Sequence, residues 1–260
     1  MDTSISTPRL QLTVITAAER GSPEFEWVHQ LRSDKQATWW SILPRSETPE
    51  DTEKAIQKIL PTTNTSLEAH KDALNIDDER RKAHRVTFAV HEIRNDDDGC
   101  NSGQDHNQGR VQRQAEHPRP HETRFIGLVA LVHVDADNLV LPEHLSPSAS
   151  ETSLILELSY SFLPDAWGKG YATESVNAVL AACGRCVSLW SPYAQVYVRA
   201  IVNGENRPSL RVMEKTAMVK KGVYELNDRP VFLAGKIRQH HVLHIYGMYL
   251  VDQTITQGTM

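Results

Sequence analysis

Cysteine is scarce in this chain: Cys100, Cys183 and Cys186 are the only three among 260 residues. An odd, low count excludes a disulfide scaffold and points to a reducing compartment, the cytoplasm first, with the nucleus left open. Long apolar runs are missing too. The best of them, Phe125–Val132, is strand-sized and far short of the roughly 20 residues that cross a bilayer. The opening Met1-Asp2-Thr3-Ser4 lacks a basic region followed by an apolar stretch, so neither a secretory signal nor a membrane partner is expected. Charge of one sign is also missing: 28 Lys and Arg stand against 33 Asp and Glu, a net charge of -5, which leaves no electrostatic footprint for nucleic acid.

Apolar residues are themselves thin, at 40% with a mean hydropathy of -0.44. The globular norm is roughly 45–50%. The length admits one large domain or two small ones. Most of the dilution sits in Asn95–Thr123, rich in Asp, Asn, Gln, Gly and Pro and nearly free of large apolar residues. Such a stretch cannot offset its ordering entropy by burial, so a disordered insertion is expected. Strand patterns flank it, Val86–Val90 before and Phe125–Val134 after, which makes an extended hairpin the simplest arrangement. Thr62–Lys82 is polar, with a short helix expected around Ser66–Leu74. Asp135–Glu151 reads as a surface loop.

The rest alternates between strand and helix periods. Arg9–Val14 reads as a first strand. Ser22-Pro23-Glu24 and Thr48-Pro49-Glu50 each place a capping side chain before a proline, the signature of a helix start. The first helix would bury Phe25, Val28 and Leu31; the second would bury Ala55, Ile56 and Ile59 and stop at Pro61. Leu154–Phe162 is the fourth strand, Ala172–Val187 a long helix, Ala194–Val202 the fifth strand and Asn206–Thr216 another helix. Closing strands are expected near Val219–Leu226 and His241–Val251. This order predicts an α+β fold, a mixed sheet with helices on both faces.

The sharpest local feature is Phe162–Glu174, a strand running through a turn with Gly168 and Gly170 into a helix. Glycines let the backbone approach a ligand closely, and a helix N-terminus offers free N–H groups, so the pair suits a pyrophosphate. Lys169 adds a point charge or faces solvent. Gly170 follows Lys169 where a Walker loop needs Ser or Thr, and Thr173 stands where the dinucleotide fingerprint needs its third small residue. A tight strand–helix turn with no ligand is the plain alternative.

Trp167-Gly168-Lys169-Gly170-Tyr171-Ala172 resembles the acyl-CoA-binding loop of the GNAT N-acetyltransferases, Gln/Arg-x-x-Gly-x-Gly/Ala. Three more stretches resemble the ribosomal-protein and antibiotic N-acetyltransferase branch, in the right order: Thr7-Pro8-Arg9-Leu10, Glu157-Leu158-Ser159-Tyr160, and the helix from Asn206 to Lys215 with Asn206, Ser209 and Glu214. Trp167 replaces Gln/Arg, Ser159 stands where Gly is usual, and Thr216-Ala217-Met218 replaces Leu-Gly-Phe.

The resemblance implies a single domain, residues 1–260, with the fourth and fifth strands splayed and acetyl-CoA as co-substrate. It implies that main-chain groups of Tyr160, Ser161 and Phe162 pair with the pantetheine arm. The pyrophosphate would meet the loop and first turn formed by Trp167, Gly168, Lys169, Gly170, Tyr171, Ala172 and Thr173. Asn206 would hydrogen-bond the pantetheine and Ser209 would donate to the leaving thiolate. Read without the resemblance, Asn206 is a helix cap with Ser209 in the first turn. Glu157 is a carboxylate in an otherwise apolar strand, so it is either used on the amine or paired with an arginine or a backbone amide.

The expected reaction is acetyl transfer to a primary amine, a protein N-terminus or a small molecule, by a monomer or homodimer. A catalytically inactive acyl-CoA-binding module on the same fold is the alternative. Trp39-Trp40 line the acceptor pocket or belong to the core. Cys183-Gly184-Arg185-Cys186 falls at the wrong end of its helix for redox chemistry, and His240, His241 and His244 lack partners at ligand spacing, so no metal is expected.

Overall fold

In a computed structural model, the structure describes residues 3–60, 84–94, 122–134, 138–227 and 229–253. The central sheet has eight strands. In chain order they are β1 (Ser4–Ser6), β2 (Leu10–Ile15), β3 (Val86–Arg94), β4 (Glu122–His133), β5 (Ser153–Phe162), β6 (Gln195–Asn203), β7 (Val219–Leu226) and β10 (His241–Asp252). Across the sheet they run β1-β2-β3-β4-β5-β6-β10-β7. Every pairing is antiparallel except β5 with β6. A two-stranded hairpin, β8 (Val231–Leu233) and β9 (Lys236–Arg238), stands between β7 and β10. The expected fourth and fifth strands are thus β5 and β6, renumbered by the short β1.

Among the described residues, four α-helices cover the two faces. Their starts follow the local chemistry. Ser22 Oγ accepts from Phe25 N–H ahead of α1 (Pro23–Ser33), and Thr48 forms a reciprocal capping box with Asp51 ahead of α2 (Pro49–Ile59). The helix α3 (Tyr171–Arg185) and the short α4 (Arg207–Met213) pack on the opposite face. Each of the two later helices ends earlier than its apolar period suggests. Val187–Trp190 is a 3-10 turn that brings Trp190 back to donate to the Cys183 carbonyl at 2.9 Å, and the last turn of α4 closes at Glu214.

The main core lies between the sheet and α3 and α4, with Leu156, Val176, Val179, Val198 and Met213 all fully enclosed. A smaller core joins Val28 and Leu31 of α1 to Ile15, Ala89 and Phe125. Ala55 of α2 is buried, while Ile56 and Ile59 are half-buried against that second core. The expected hairpin around the insertion is present, and its ladder extends to Arg94 opposite Glu122. Glu122 and Thr123 therefore belong to β4; 95–121 lies outside the described residues, as do 62–82 and the helix expected at 66–74. The segment expected to be a surface loop is anchored instead. Leu141 and Leu145 are buried against Leu243 and Ile245 of β10, because apolar side chains in that polar stretch find the otherwise bare face of the sheet end. No helix among the described residues is long and apolar enough to cross a membrane.

Candidate active site

The parallel ladder between β5 and β6 runs from Ser153 opposite Gln195 to Glu157 opposite Arg199, and stops there. Beyond that rung β6 continues against β10 and β5 against β4, so the two strands diverge. Val134 N–H donates to the Ile155 carbonyl at 3.0 Å and Leu163 N–H to the Ile126 carbonyl at 2.9 Å. In an antiparallel pair a residue's N–H and C=O point to the same side, so the odd residues of β5 face β4. The main chains of Leu158, Tyr160 and Phe162 then face the opened gap. Ser161 is placed otherwise than expected. Its main chain is turned to β4, and its hydroxyl donates to the Ala37 carbonyl at 2.8 Å, tying β5 to the segment after α1. The Phe162 carbonyl is engaged by the Trp167 indole N–H at 2.8 Å, while the Trp167 ring is half exposed.

The gap leads to the glycine loop. Gly168 and Gly170 both hold positive φ, 76° and 82°, a region other residues enter at a cost of about 1–2 kcal/mol. Gly170 is the N-cap of α3 and no side chain caps that helix, so its first-turn amides, through Ala172 and Thr173, are free of an intramolecular acceptor of that kind. No heavy atom comes within 4 Å of where a Cβ on Gly168 would stand. Open space and helix-start amides without a side-chain cap therefore coincide at this turn.

Two charge clusters brace this loop from behind. Tyr171 is buried and its hydroxyl donates to Glu92 Oε1 at 2.5 Å. Arg124 reaches Glu92 Oε2 at 2.7 Å and also pairs with Asp165. Lys169 is turned back toward this cluster, its Nζ 3.8 Å from Glu92 Oε1. Burial alone would raise Glu92, but the Tyr171 and Arg124 hydrogen bonds and nearby Lys169 hold it below the ordinary carboxylate value. The same hydrogen bond to Glu92, with burial second, raises Tyr171. In the second cluster Arg9 and Thr7 both bind Glu174, Arg9 Nε at 2.8 Å and Thr7 Oγ1 at 2.6 Å. Burial pushes Glu174 up, and these two partners more than reverse it.

On the other side of the gap, Asn206 Oδ1 accepts from Ser209 N–H at 3.3 Å and caps α4. Tyr160 reaches across from β5 and donates to the Ser209 carbonyl at 3.4 Å. Burial raises its phenol to about 12. On the opposite face of the sheet, Arg199 Nε donates to Glu157 Oε2 at 3.0 Å and its Nη2 lies 2.9 Å from the same oxygen. Glu157 thus has the arginine partner that was one of its two sequence readings.

A model of the acetyltransferase (GNAT) domain matches residues 9–219. The chain belongs to the GNAT acetyltransferase family. This GNAT chain has solved structural neighbours with the same fold. A spermidine N-acetyltransferase from Vibrio cholerae, in complex with CoA and spermine, aligns over 94% of this chain and 97% of its own at 16% identity, with a TM-score of 0.51. A ribosomal-protein-S5-alanine acetyltransferase from Vibrio fischeri aligns over 94% and 96%, also at 16% identity and a TM-score of 0.51. No curated protein matches the sequence.

Within this GNAT fold, the segment carrying Trp39 and Trp40 has a defined place. The β8–β9 hairpin packs on the segment after α1: Ala234 N–H donates to the Trp39 carbonyl at 2.9 Å, and Arg238 lies over the Trp40 ring at 5.5 Å. Both tryptophans therefore bind the hairpin rather than the main core, and Trp39 stays 42% exposed. Arg199, Arg9, Glu92 and Arg124 were given no role from sequence. A lone arginine inside the apolar Tyr197-Val198-Arg199-Ala200-Ile201 was a usable signal, the mirror of Glu157 in its own strand. Cys183 is buried, and burial pushes its thiol up to about 12, the opposite of an activated cysteine.

Proposed function

We propose that this chain transfers an acetyl group from acetyl-CoA to a primary amine, as one acyltransferase domain that carries 95–121 as an insertion. The observation that carries the reading is the continuity of the gap between β5 and β6 with the uncapped N-terminus of α3 at Gly168 and Gly170. Such a groove suits an extended arm ending in a pyrophosphate: the outward main chain of Tyr160 pairs with the arm, and the amides of the loop and first turn receive the phosphates.

Bound acetyl-CoA supplies an activated thioester carbonyl. The protein's residues must then seat a neutral amine, take up its proton and stabilise the departing thiolate. Both Arg199 contacts go to Oε2 of Glu157, which leaves Oε1 to receive the ammonium and then its proton, directly or through water. Asn206 keeps its capping role and offers its amide N–H to the arm. Ser209, held by that cap, donates its hydroxyl to the sulfur. The acceptor is a protein N-terminus or a small-molecule amine, and the polyamine in the Vibrio cholerae complex adds that class to those worth testing.

One observation favours a second reading, an acyl-CoA-binding module without turnover: Glu157 is already neutralised by a buried arginine. Thiol release from acetyl-CoA over peptides, polyamines and aminoglycoside-like amines, alongside calorimetric binding of CoA, separates the two. Turnover on any amine supports the transferase. Binding without turnover supports the module, and absence of both overturns each.

A further inference from the structure

Three carboxylates crowd the glycine loop, Glu92, Asp165 and Glu174, which is the wrong charge beside a site for phosphates. Glu174 is the most awkward. It lies in the first turn of α3, its own N–H bonded to the Gly170 carbonyl at 3.1 Å. A carboxylate there suits an empty helix N-terminus but repels an anion arriving at the same amides. Arg124 answers Glu92 and Asp165. Arg9 answers Glu174, with Nε at 2.8 Å and Nη2 at 2.5 Å from Oε2.

Arg9 does something further. Its Nη1 donates to the Lys169 carbonyl at 3.0 Å, and its guanidinium lies 4.8 Å from the Tyr171 ring centre. In a trans peptide the carbonyl of one residue and the N–H of the next point in opposite directions. A Lys169 carbonyl drawn toward Arg9 therefore turns the Gly170 N–H away from it, out of the loop.

We propose that Arg9 is a positioning residue for the acyl-CoA loop, a counter-charge that cancels Glu174 and an anchor that aims the Gly170 amide at the phosphates. The inference rests on reading that loop as the pyrophosphate site. Arg9 touches no reacting atom. It lies immediately before β2, 165 residues from its partner, so an early stretch of the chain completes a site built much later in it.

The test is a double-mutant cycle on the full chain, with R9M, E174Q and R9M/E174Q. CoA affinity is read by calorimetry at low and high salt, and folding by thermal melts. R9M is expected to weaken CoA binding about tenfold, with the deficit shrinking as salt screens Glu174. E174Q alone binds CoA at least as tightly as the unmodified chain, and R9M/E174Q returns to within about threefold of it. A mere latch between strand and helix predicts another pattern, in which all three variants weaken alike; that result overturns the proposal, as does an R9M that binds normally. If R9M fails to fold, weakened binding by E174Q still overturns it. An unmodified chain that binds no CoA removes the pyrophosphate reading itself, a failure distinct from a flat cycle on a chain that does bind.

Discussion

Glu157 and Arg199 meet on the last rung where β5 and β6 still pair, joined through a single carboxylate oxygen at 3.0 and 2.9 Å. The arginine side chain is 4% exposed and the glutamate 29%, so the pair sits at the floor of the gap with only the carboxylate looking out. The arrangement makes substitutions at Glu157 double-edged. Glu157→Gln removes the proposed amine-binding charge and also strands a buried guanidinium. We expect kcat/KM to fall at least about tenfold and stability to drop by about 2–4 kcal/mol in urea melts, with CoA affinity unchanged. The double change Glu157→Gln with Arg199→Met should recover much of the stability and none of the activity. Full turnover in either variant would remove Glu157 from the mechanism.

Tyr160 bridges the gap to Ser209 and its phenol is raised to about 12 by burial. It therefore stays neutral through the alkaline range in which ordinary tyrosines, near 10, ionise. Tyr160→Phe is expected to cost about 0.5–1.5 kcal/mol in stability and to leave the shape of the pH–rate profile unchanged. Loss of an alkaline limb in the variant would show that Tyr160 titrates in the working range.

Glu174 and Glu92 are both held below the ordinary carboxylate value of 4.5. A carboxylate depressed in the folded state stabilises the protein above its unfolded value, and that contribution disappears as pH falls through the folded one. Stability should therefore begin to fall below about pH 4.5 and keep falling. Urea midpoints taken across that range should slope less steeply for Glu174→Gln than for the unmodified chain. Equal slopes would mean that the Arg9 and Thr7 contacts to Glu174 contribute nothing in solution.

Gly235 holds φ of 77° and approaches the Trp39 ring so closely that a Cβ would stand 2.5 Å from Cη2. Gly235→Ala should push the β8–β9 hairpin off the tryptophan, at a cost of about 1–3 kcal/mol. The KM for the amine should rise while CoA affinity holds, since the glycine loop lies elsewhere on the sheet. An equal change in both affinities would remove the hairpin from the acceptor side.

The helix starts were legible because a cap is local chemistry: Ser22 and Thr48 need only the three residues that follow them. The glycine loop was legible for the same reason, as positive φ at Gly168 and Gly170 leaves a residue-type signature. The hairpin around the polar insertion showed in apolar alternation on both sides. Harder to read were β8 and β9, three residues each, too short for any period to emerge. The anchoring of Leu141 and Leu145 was hidden by the polar residues around them.

The scarcity of cysteine and of long apolar runs pointed by itself to an ordinary core of short strands and helices, not to a disulfide frame. Its motifs located the glycine loop ahead of α3 and the capped helix after β6. Those are properties of short stretches, where backbone preference and side-chain type act on immediate neighbours. Which charges answer one another was decided only by the tertiary structure. Arg199 for Glu157, Arg9 for Glu174 and Arg124 for Glu92 are pairs drawn from different strands and helices. Coulombic partners are chosen by distance in space, and a chain acquires those distances only when its strands take their places in the sheet.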